Sequence, residues 1–298
     1  MTDVFIIGKG PAGISAALYT IRAGFSTVVT GKDMGALGKA ERIDNYYGFA
    51  EGITAGELFE NGIKGAQRLG VEVLSEEVFD IVWEDDLFRV TTDRGVHEAK
   101  AVILASGTSR KAPPIKGLKD REGKGVSYCA VCDGFFFRQK EVCVIGNGRY
   151  AVSEALHLTP TSSKVTILTN GRDLEEDAQA LLQEAVEGGT GNLAVEKAKI
   201  AEITGDPMVD GVLLDNGTKL DLSGVFVAEG TASATDLARK LGVAGPDGKL
   251  MLNEDMSTYV PGFFAAGDCT GGLLQVAKAV SDGAIAGTAA GKFLRGKK

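Results

Sequence analysis

DVFIIGKGPAGISAALYTIRAG, residues 3–24, decides the fold of this chain. An apolar run from Val4 to Ile7 meets Gly8, Gly10 and Gly13, and small residues then open a helix. Strand, tight turn and helix stand in the order a dinucleotide site requires. Gly8 permits the turn, Gly10 lets backbone approach a pyrophosphate, and Gly13 allows the helix to pack close to the strand. The helix N-terminus adds N–H donors and partial positive charge. Pro11 and Ala12, between the last two glycines, lean this turn towards a flavin nucleotide. The second strand, Thr27 to Val29, runs into Thr30-Gly31-Lys32 where an acidic ribose ligand ordinarily stands, which leaves Asp33 as its substitute.

Further along, EVCVIGNGRYAVSEALHL at 141–158 repeats the pattern with Gly146, Gly148 and Ala151 after a strand ending at Ile145. The chain therefore contains two Rossmann-like units. FFAAGDCTGGLLQVAKAVSDGAIAG at 263–287 is a third glycine-rich segment behind a short apolar strand, so one nucleotide domain is interrupted by the other.

Between the two turns lies CAVC, Cys129 to Cys132, followed at once by Asp133. Thiols at this spacing close a small disulfide, and the reactive member acts as its thiolate. Zinc would want a second pair of ligands, yet Cys143 and Cys269 stand alone and His97 and His157 are the only histidines. Redox chemistry is the reading, with no metal. For Asp133 two readings stand: a turn former with Gly134, and a proton donor to the thiols.

The 298 residues suit two domains, and 44% hydrophobic content supplies ordinary cores. A formal charge of -8 speaks against non-specific nucleic-acid binding. MTDVFIIG leads straight into a strand without a signal-peptide pattern, no apolar run reaches membrane-spanning length, and four cysteines suit a reducing compartment. The expectation is a cytoplasmic protein.

GKGPAG at 8–13, ASGTSR at 105–110, YCAVCDG at 128–134, GNGRYA at 146–151 and AAGDCTGG at 265–272 resemble, in order, the landmarks of low-molecular-weight thioredoxin reductases. The resemblance implies an α/β fold of two Rossmann-like, glutathione-reductase-type nucleotide-binding domains, the smaller inserted in the larger. It places an FAD-binding domain at 1–113 and 234–298 and an inserted redox domain at 114–233, in a homodimer whose domains rotate. Flavin contacts would be Gly8, Gly10, Pro11, Ala12, Gly13, Asn45 from the 35–49 loop, Ala105, Gly107, Gly267, Asp268, Leu274 and Gln275. Asp268 would meet a ribityl hydroxyl. Cys132 would lie nearer the flavin, Cys129 would attack thioredoxin, and Asp133 would serve as acid and base.

The chain departs from that pattern after the strand Lys164 to Leu168. Thr169-Asn170-Gly171 replaces the basic cluster that reads a ribose phosphate, with Arg172 alone nearby, and Asp173-Leu174-Glu175-Glu176-Asp177 follows. These carboxylates would repel a phosphate, or they are the acidic first turn of an exposed helix. Arg149 and Tyr150 could also fill the cleft. LLQVAKAVSDG, with Leu274 where NADPH-type members more often carry Arg, is similar to the ferredoxin-dependent flavin thioredoxin reductases of clostridial type. That subset implies ferredoxin as donor, delivering single electrons that the flavin gathers into pairs. Arg110, Lys111, Lys116, Lys119, Arg121 and Lys124 form a landing site for such an acidic partner, or a charged linker. The alternatives are an NAD(P)H-dependent disulfide reductase and a non-catalytic redox-sensing flavoprotein.

The rest reads as scaffold. Residues 90–106 form a meander, 197–220 form hairpins with Gly-Asp and Asn-Gly turns, Cys143 is an inert core thiol, and Phe135-Phe136-Phe137 screen the disulfide from water or, as the preferred reading, fill a core.

Overall fold

The computed structural model describes residues 1–107, 113–230, 232–245 and 249–297. They divide into two compact units, Met1–Arg110 with Ser233–Lys298, and Lys111–Ala232.

The first unit opens with β1 (Thr2–Ile7), α1 (Pro11–Arg22), β2 (Thr27–Thr30), β3 (Arg42–Ile43), β4 (Ile53–Thr54), α2 (Ala55–Arg68) and β5 (Glu72–Leu74). A meander follows, β6 (Val78–Glu84), β7 (Leu87–Thr92) and β8 (Gly95–Leu104). The sheet runs β5-β2-β1-β8-β7-β6, parallel from β5 to β8 and antiparallel through the meander. Val4 to Ile7 are all buried, as a parallel strand covered on both faces demands. A capping box between Thr54 and Glu57 starts α2.

The second unit is contiguous. It comprises β9 (Val126–Ser127), α3 (Ala130–Asp133), β10 (Glu141–Ile145), α4 (Arg149–Leu158), β11 (Lys164–Leu168), α5 (Glu176–Glu187) and β12 (Leu193–Glu196). Then come β13 (Ile200–Thr204), β14 (Gly211–Leu214), β15 (Lys219–Asp221) and β16 (Gly224–Val227). A parallel sheet β12-β11-β10-β16-β9 sits beside the antiparallel β13-β14-β15. Their shared core is built from Leu118, Cys143, Ile145, Ile203 and Val225 among others, so Cys143 is indeed a core thiol. The first expected hairpin is looser than its Gly205-Asp206 suggests, because the whole 205–210 segment separates β13 from β14.

The chain then returns to the first unit as α6 (Ala234–Lys240), β17 (Phe263–Ala265) and α7 (Val276–Gly296). β17 adds to β8 in parallel. α7 lies on α1 at backbone distance: a Cβ on Gly283 would fall 2.1 Å from Ala12 O, and one on Gly287 2.6 Å from Ala16 O. Among the described residues no helix is long and apolar enough to cross a membrane.

Candidate active site

The redox loop is held from three directions. β9 pairs with β16 and delivers Cys129, the N-cap of α3, which is bonded to Cys132 with 5.3 Å between their Cα atoms. Cys132 N donates to Cys129 Sγ at 3.2 Å, a contact suited to a thiolate once the pair is reduced. Buried Ser127 accepts from Cys129 N at 3.1 Å and donates from its hydroxyl to Asp133 Oδ2 at 2.6 Å. From the opposite side, Glu154 on α4 accepts from Ala130 N at 2.8 Å while only 1% exposed.

Cys129 is buried and Cys132 exposed. Around them Val131, Phe135 and Phe136 are exposed at 52%, 67% and 69%, and Arg138 lies over the Phe135 ring. The expectation that all three phenylalanines fill a core therefore fails for two of them. Phe137 alone is buried, edge-on to Phe226, because the short helical turn that carries the triplet can bury only one face.

Ser127 and Glu154 escaped the sequence reading. Glu154 had a signal: it stands in the apolar stripe Ala151, Ala155, Leu158 at helical spacing, where a carboxylate needs a partner. Ser127, an ordinary strand residue, had none.

In the first unit the turn after β1, the segment after β8 and the loop after β17 meet at the C-terminal edge of the parallel strands. Gly8, at φ +116°, sits where a Cβ would lie 2.2 Å from Ala105 O. A Cβ on Gly13 would lie 1.7 Å from Gly8 O, whereas one on Gly10 meets nothing within 4 Å. Pro11 and Ala12 open α1 here, Ala12 against Gly267, and Gly107 follows Ala105 beyond β8. Asn45 Nδ2 donates to Gln275 Oε1 at 2.9 Å, while Leu274 beside it is exposed. Lys278 Nζ binds Asp282 at 2.7 Å and donates to Gly267 O, Thr270 Oγ1 and Gly271 O, fixing the loop that carries Asp268. Burial pushes the Asp268 carboxyl above its usual range, with Lys278 opposing the rise.

Lys9, inside the glycine turn, is 9% exposed and donates to the neutral Ser75 Oγ at 3.1 Å. Burial lowers its pKa and Asp33 partly restores it. Asp33 itself accepts from Gly35 N at 2.7 Å. The open face at Gly10, at the N-terminus of α1, fits a dinucleotide's diphosphate.

The second glycine turn differs. Gly146 has φ +155° and a Cβ there would lie 2.3 Å from Ala228 O, but the open side of Gly148 faces the Glu175 carboxylate. Tyr150 is buried, and Arg149 Nη1 lies 3.5 Å from Asp177 O. Glu176 and Asp177 form the acidic first turn of α5, Asp173 pairs with Lys197 at 2.5 Å, and Arg172 pairs with Glu229 at 2.5 Å.

Of the basic stretch, Arg110 and Lys111 lie outside the described residues. Lys116 pairs with Glu202 at 2.7 Å, and Arg121 donates to Gly205 O and Gly117 O. The stretch is therefore no continuous row of free cations; β13 and the loop behind it engage two of its members. Among the described residues no cluster of metal-ligating side chains forms.

The sequence profile of the pyridine nucleotide-disulphide oxidoreductase family matches residues 2–283. The chain is 34% identical to a thioredoxin reductase of Listeria monocytogenes over 98% of its length and 93% of that protein's. It is 37% identical to one of Treponema pallidum, over 98% and 97%. Among solved structures it resembles an atypical thioredoxin reductase from Desulfovibrio vulgaris Hildenborough, with TM-score 0.91, 41% identity and coverage of 100% and 99%. It also resembles a ferredoxin-flavin thioredoxin reductase from Clostridium acetobutylicum, with TM-score 0.68, 31% identity and coverage of 99% and 98%.

Proposed function

The chain belongs to the pyridine nucleotide-disulphide oxidoreductase family and, within it, to the FAD-dependent thioredoxin reductases, and from that premise we propose that its electrons come from reduced ferredoxin. The observation that carries the donor is the loop after β11. Thr169-Asn170-Gly171 offers no base to a ribose phosphate, and Arg172, the base that follows, is paired with Glu229.

FAD, when bound, supplies a centre that takes electrons singly or in pairs. In this proposal the glycine face at Gly8, Gly10 and Gly13 with Pro11 and Ala12 holds its diphosphate. Asn45, Ala105, Gly107, Gly267, Asp268, Leu274 and Gln275 line the remainder. Two electrons and two protons convert the Cys129–Cys132 disulfide to a dithiol, with Asp133 exchanging a proton under the orientation Ser127 gives it. One thiolate then attacks the disulfide of thioredoxin, forming a mixed disulfide and releasing a thioredoxin thiolate. The second cysteine attacks that bond, restores the Cys129–Cys132 disulfide and leaves thioredoxin reduced. By family likeness Cys129 is the attacking residue, which requires its buried sulfur to be uncovered. Exposed Val131, Phe135 and Phe136 give a partner protein an apolar surface beside the reacting sulfurs. A homodimer belongs to the same proposal.

A second reading, reduction by NADH or NADPH, is favoured by the family profile and by the retained Gly146 and Gly148. Anaerobic mixing of the oxidised holoprotein with NADPH, NADH and photoreduced ferredoxin separates the two. Bleaching of the flavin band by ferredoxin alone, followed by thioredoxin reduction, is expected; rapid bleaching by either nucleotide overturns the ferredoxin reading.

A further inference from the structure

β10 lies between β11 and β16 in the parallel sheet of the Lys111–Ala232 unit, so the turn at 146–148 marks a topological switch point. At such a turn the glycine second in the motif lacks a Cβ so that a diphosphate can lie against the backbone at the helix N-terminus. A Cβ built on Gly148 would lie 3.0 Å from Glu175 Oε2 and 3.7 Å from Oε1, with Glu175 supplying its nearest atoms.

The backbone that carries this exposed carboxylate is tied down. Glu175 N donates to Asn147 O at 2.9 Å, and Asn147 Nδ2 donates to Asp173 O at 3.1 Å. Glu175 is also the N-cap of α5, accepting at its carbonyl from Gln179 N at 2.9 Å. The β11–α5 loop is thus tied across the glycine turn at Asn147 on one side and anchored to its own helix on the other. Lys197 draws Asp173 towards the end of β12 at 2.5 Å, and Glu229, beyond β16, takes Arg172 at 2.5 Å.

We propose that Glu175 is a resident anion, its carboxylate occupying the place on Gly148 that a nucleotide diphosphate would need and barring pyridine nucleotides from this unit. A ligand phosphate would have to displace Glu175 or share the cradle with it, and two anions at one cradle repel. The residue differs in role from Glu176 and Asp177, which begin α5 and act on its dipole. The inference deepens the reading of the second turn as closed to nucleotides and rests on that reading.

The test uses ADP, which carries the diphosphate and adenosine but no reducing electrons, titrated calorimetrically into oxidised FAD-loaded protein. Wild type is expected to give no saturable binding below millimolar ADP. Glu175→Ala is expected to gain saturable binding at least tenfold tighter, with the flavin retained. Equal affinity in wild type and variant overturns the proposal, as does a folded Glu175→Ala protein that binds no ADP. If the alanine variant loses its flavin, Glu175→Gln, which keeps the side-chain length and removes the charge, is read against the same two outcomes. Failure of ferredoxin as donor leaves this measurement untouched, because no electron transfer enters it.

Discussion

Ser127 Oγ donates to Asp133 Oδ2 at 2.6 Å, so the last residue of β9 orients the carboxylate that follows the redox disulfide. The same oxygen accepts from Cys129 N at 3.1 Å. A hydrogen bond to a charged group contributes about 1.5–3 kcal/mol. Ser127→Ala is therefore expected to slow thioredoxin reduction roughly tenfold or more and to displace its pH profile, with FAD content unchanged and Ser127→Thr restoring most of the rate. An unchanged pH profile in the alanine variant would remove Ser127 from the proton path.

Glu154 holds the other end of the loop. Replacing it by alanine leaves Ala130 N buried without its acceptor, at a cost of about 1–3 kcal/mol. Glu154→Ala is expected to lower the melting temperature by several degrees and to slow turnover, while Glu154→Gln, which keeps an acceptor oxygen, recovers both. Calorimetry and thioredoxin assays on the two variants check this; an alanine variant as stable as wild type would refute it.

Thiol counting distinguishes the four cysteines. Burial pushes the Cys269 thiol up to about 12, and burial pushes Cys143 higher still. Neither forms appreciable thiolate at pH 8. Iodoacetamide at that pH should add nothing to the oxidised native protein, at most two adducts after reduction, the second once Cys129 is uncovered, and four after reduction in denaturant, counted by mass spectrometry. A third adduct on the native reduced protein would show that Cys143 or Cys269 reacts despite its raised pKa.

The first glycine turn separates fold from ligand. A Cβ at Gly13 would collide with Gly8 O, whereas one at Gly10 enters open space. Gly13→Ala is expected to lose the folded structure along with the flavin. Gly10→Ala should keep its circular dichroism and lose FAD affinity by at least tenfold, which equilibrium dialysis measures. Full flavin retention in Gly10→Ala would move the diphosphate away from this turn.

Acid stability has a local contributor in Glu76. Burial alone would raise its pKa, but hydrogen bonds from Thr92 at 2.8 Å and His97 at 2.7 Å, with the charges of His97 and Arg94, hold it below the usual carboxylate range. Its stabilisation is present above the unfolded-state pKa of about 4.3 and is lost as pH falls through the lower folded-state value. Thr92→Val raises the folded-state pKa, so acid unfolding followed by circular dichroism should begin at higher pH than in wild type. A midpoint that does not move would show that this carboxylate is not involved.

What the sequence made legible was local. Gly8, Gly10, Gly13 and the strand before them carry their meaning within a dozen residues, as does CAVC. Partners far along the chain were not legible. Lys116 and Arg121 read as a basic surface, yet they bind Glu202 and Gly205, more than eighty residues away, across a fold that spacing does not disclose. The acidic run at 173–177 offered two readings, and the structure divides it residue by residue. Glu176 and Asp177 serve the helix dipole, while Glu175, its backbone tied to Asn147, lies with its carboxylate against Gly148.

The close packing of α7 on α1 sets an order of assembly during translation. The Lys111–Ala232 unit is continuous in sequence and leaves the ribosome whole before residues 263–296 are made. The flanking unit does not, since β17 and α7 are synthesised only after that insertion, and until then Ala12 and Ala16 of α1 lie uncovered. The sheet of the flanking unit and the cover of α1 are therefore completed only once residues 263–296 have been made.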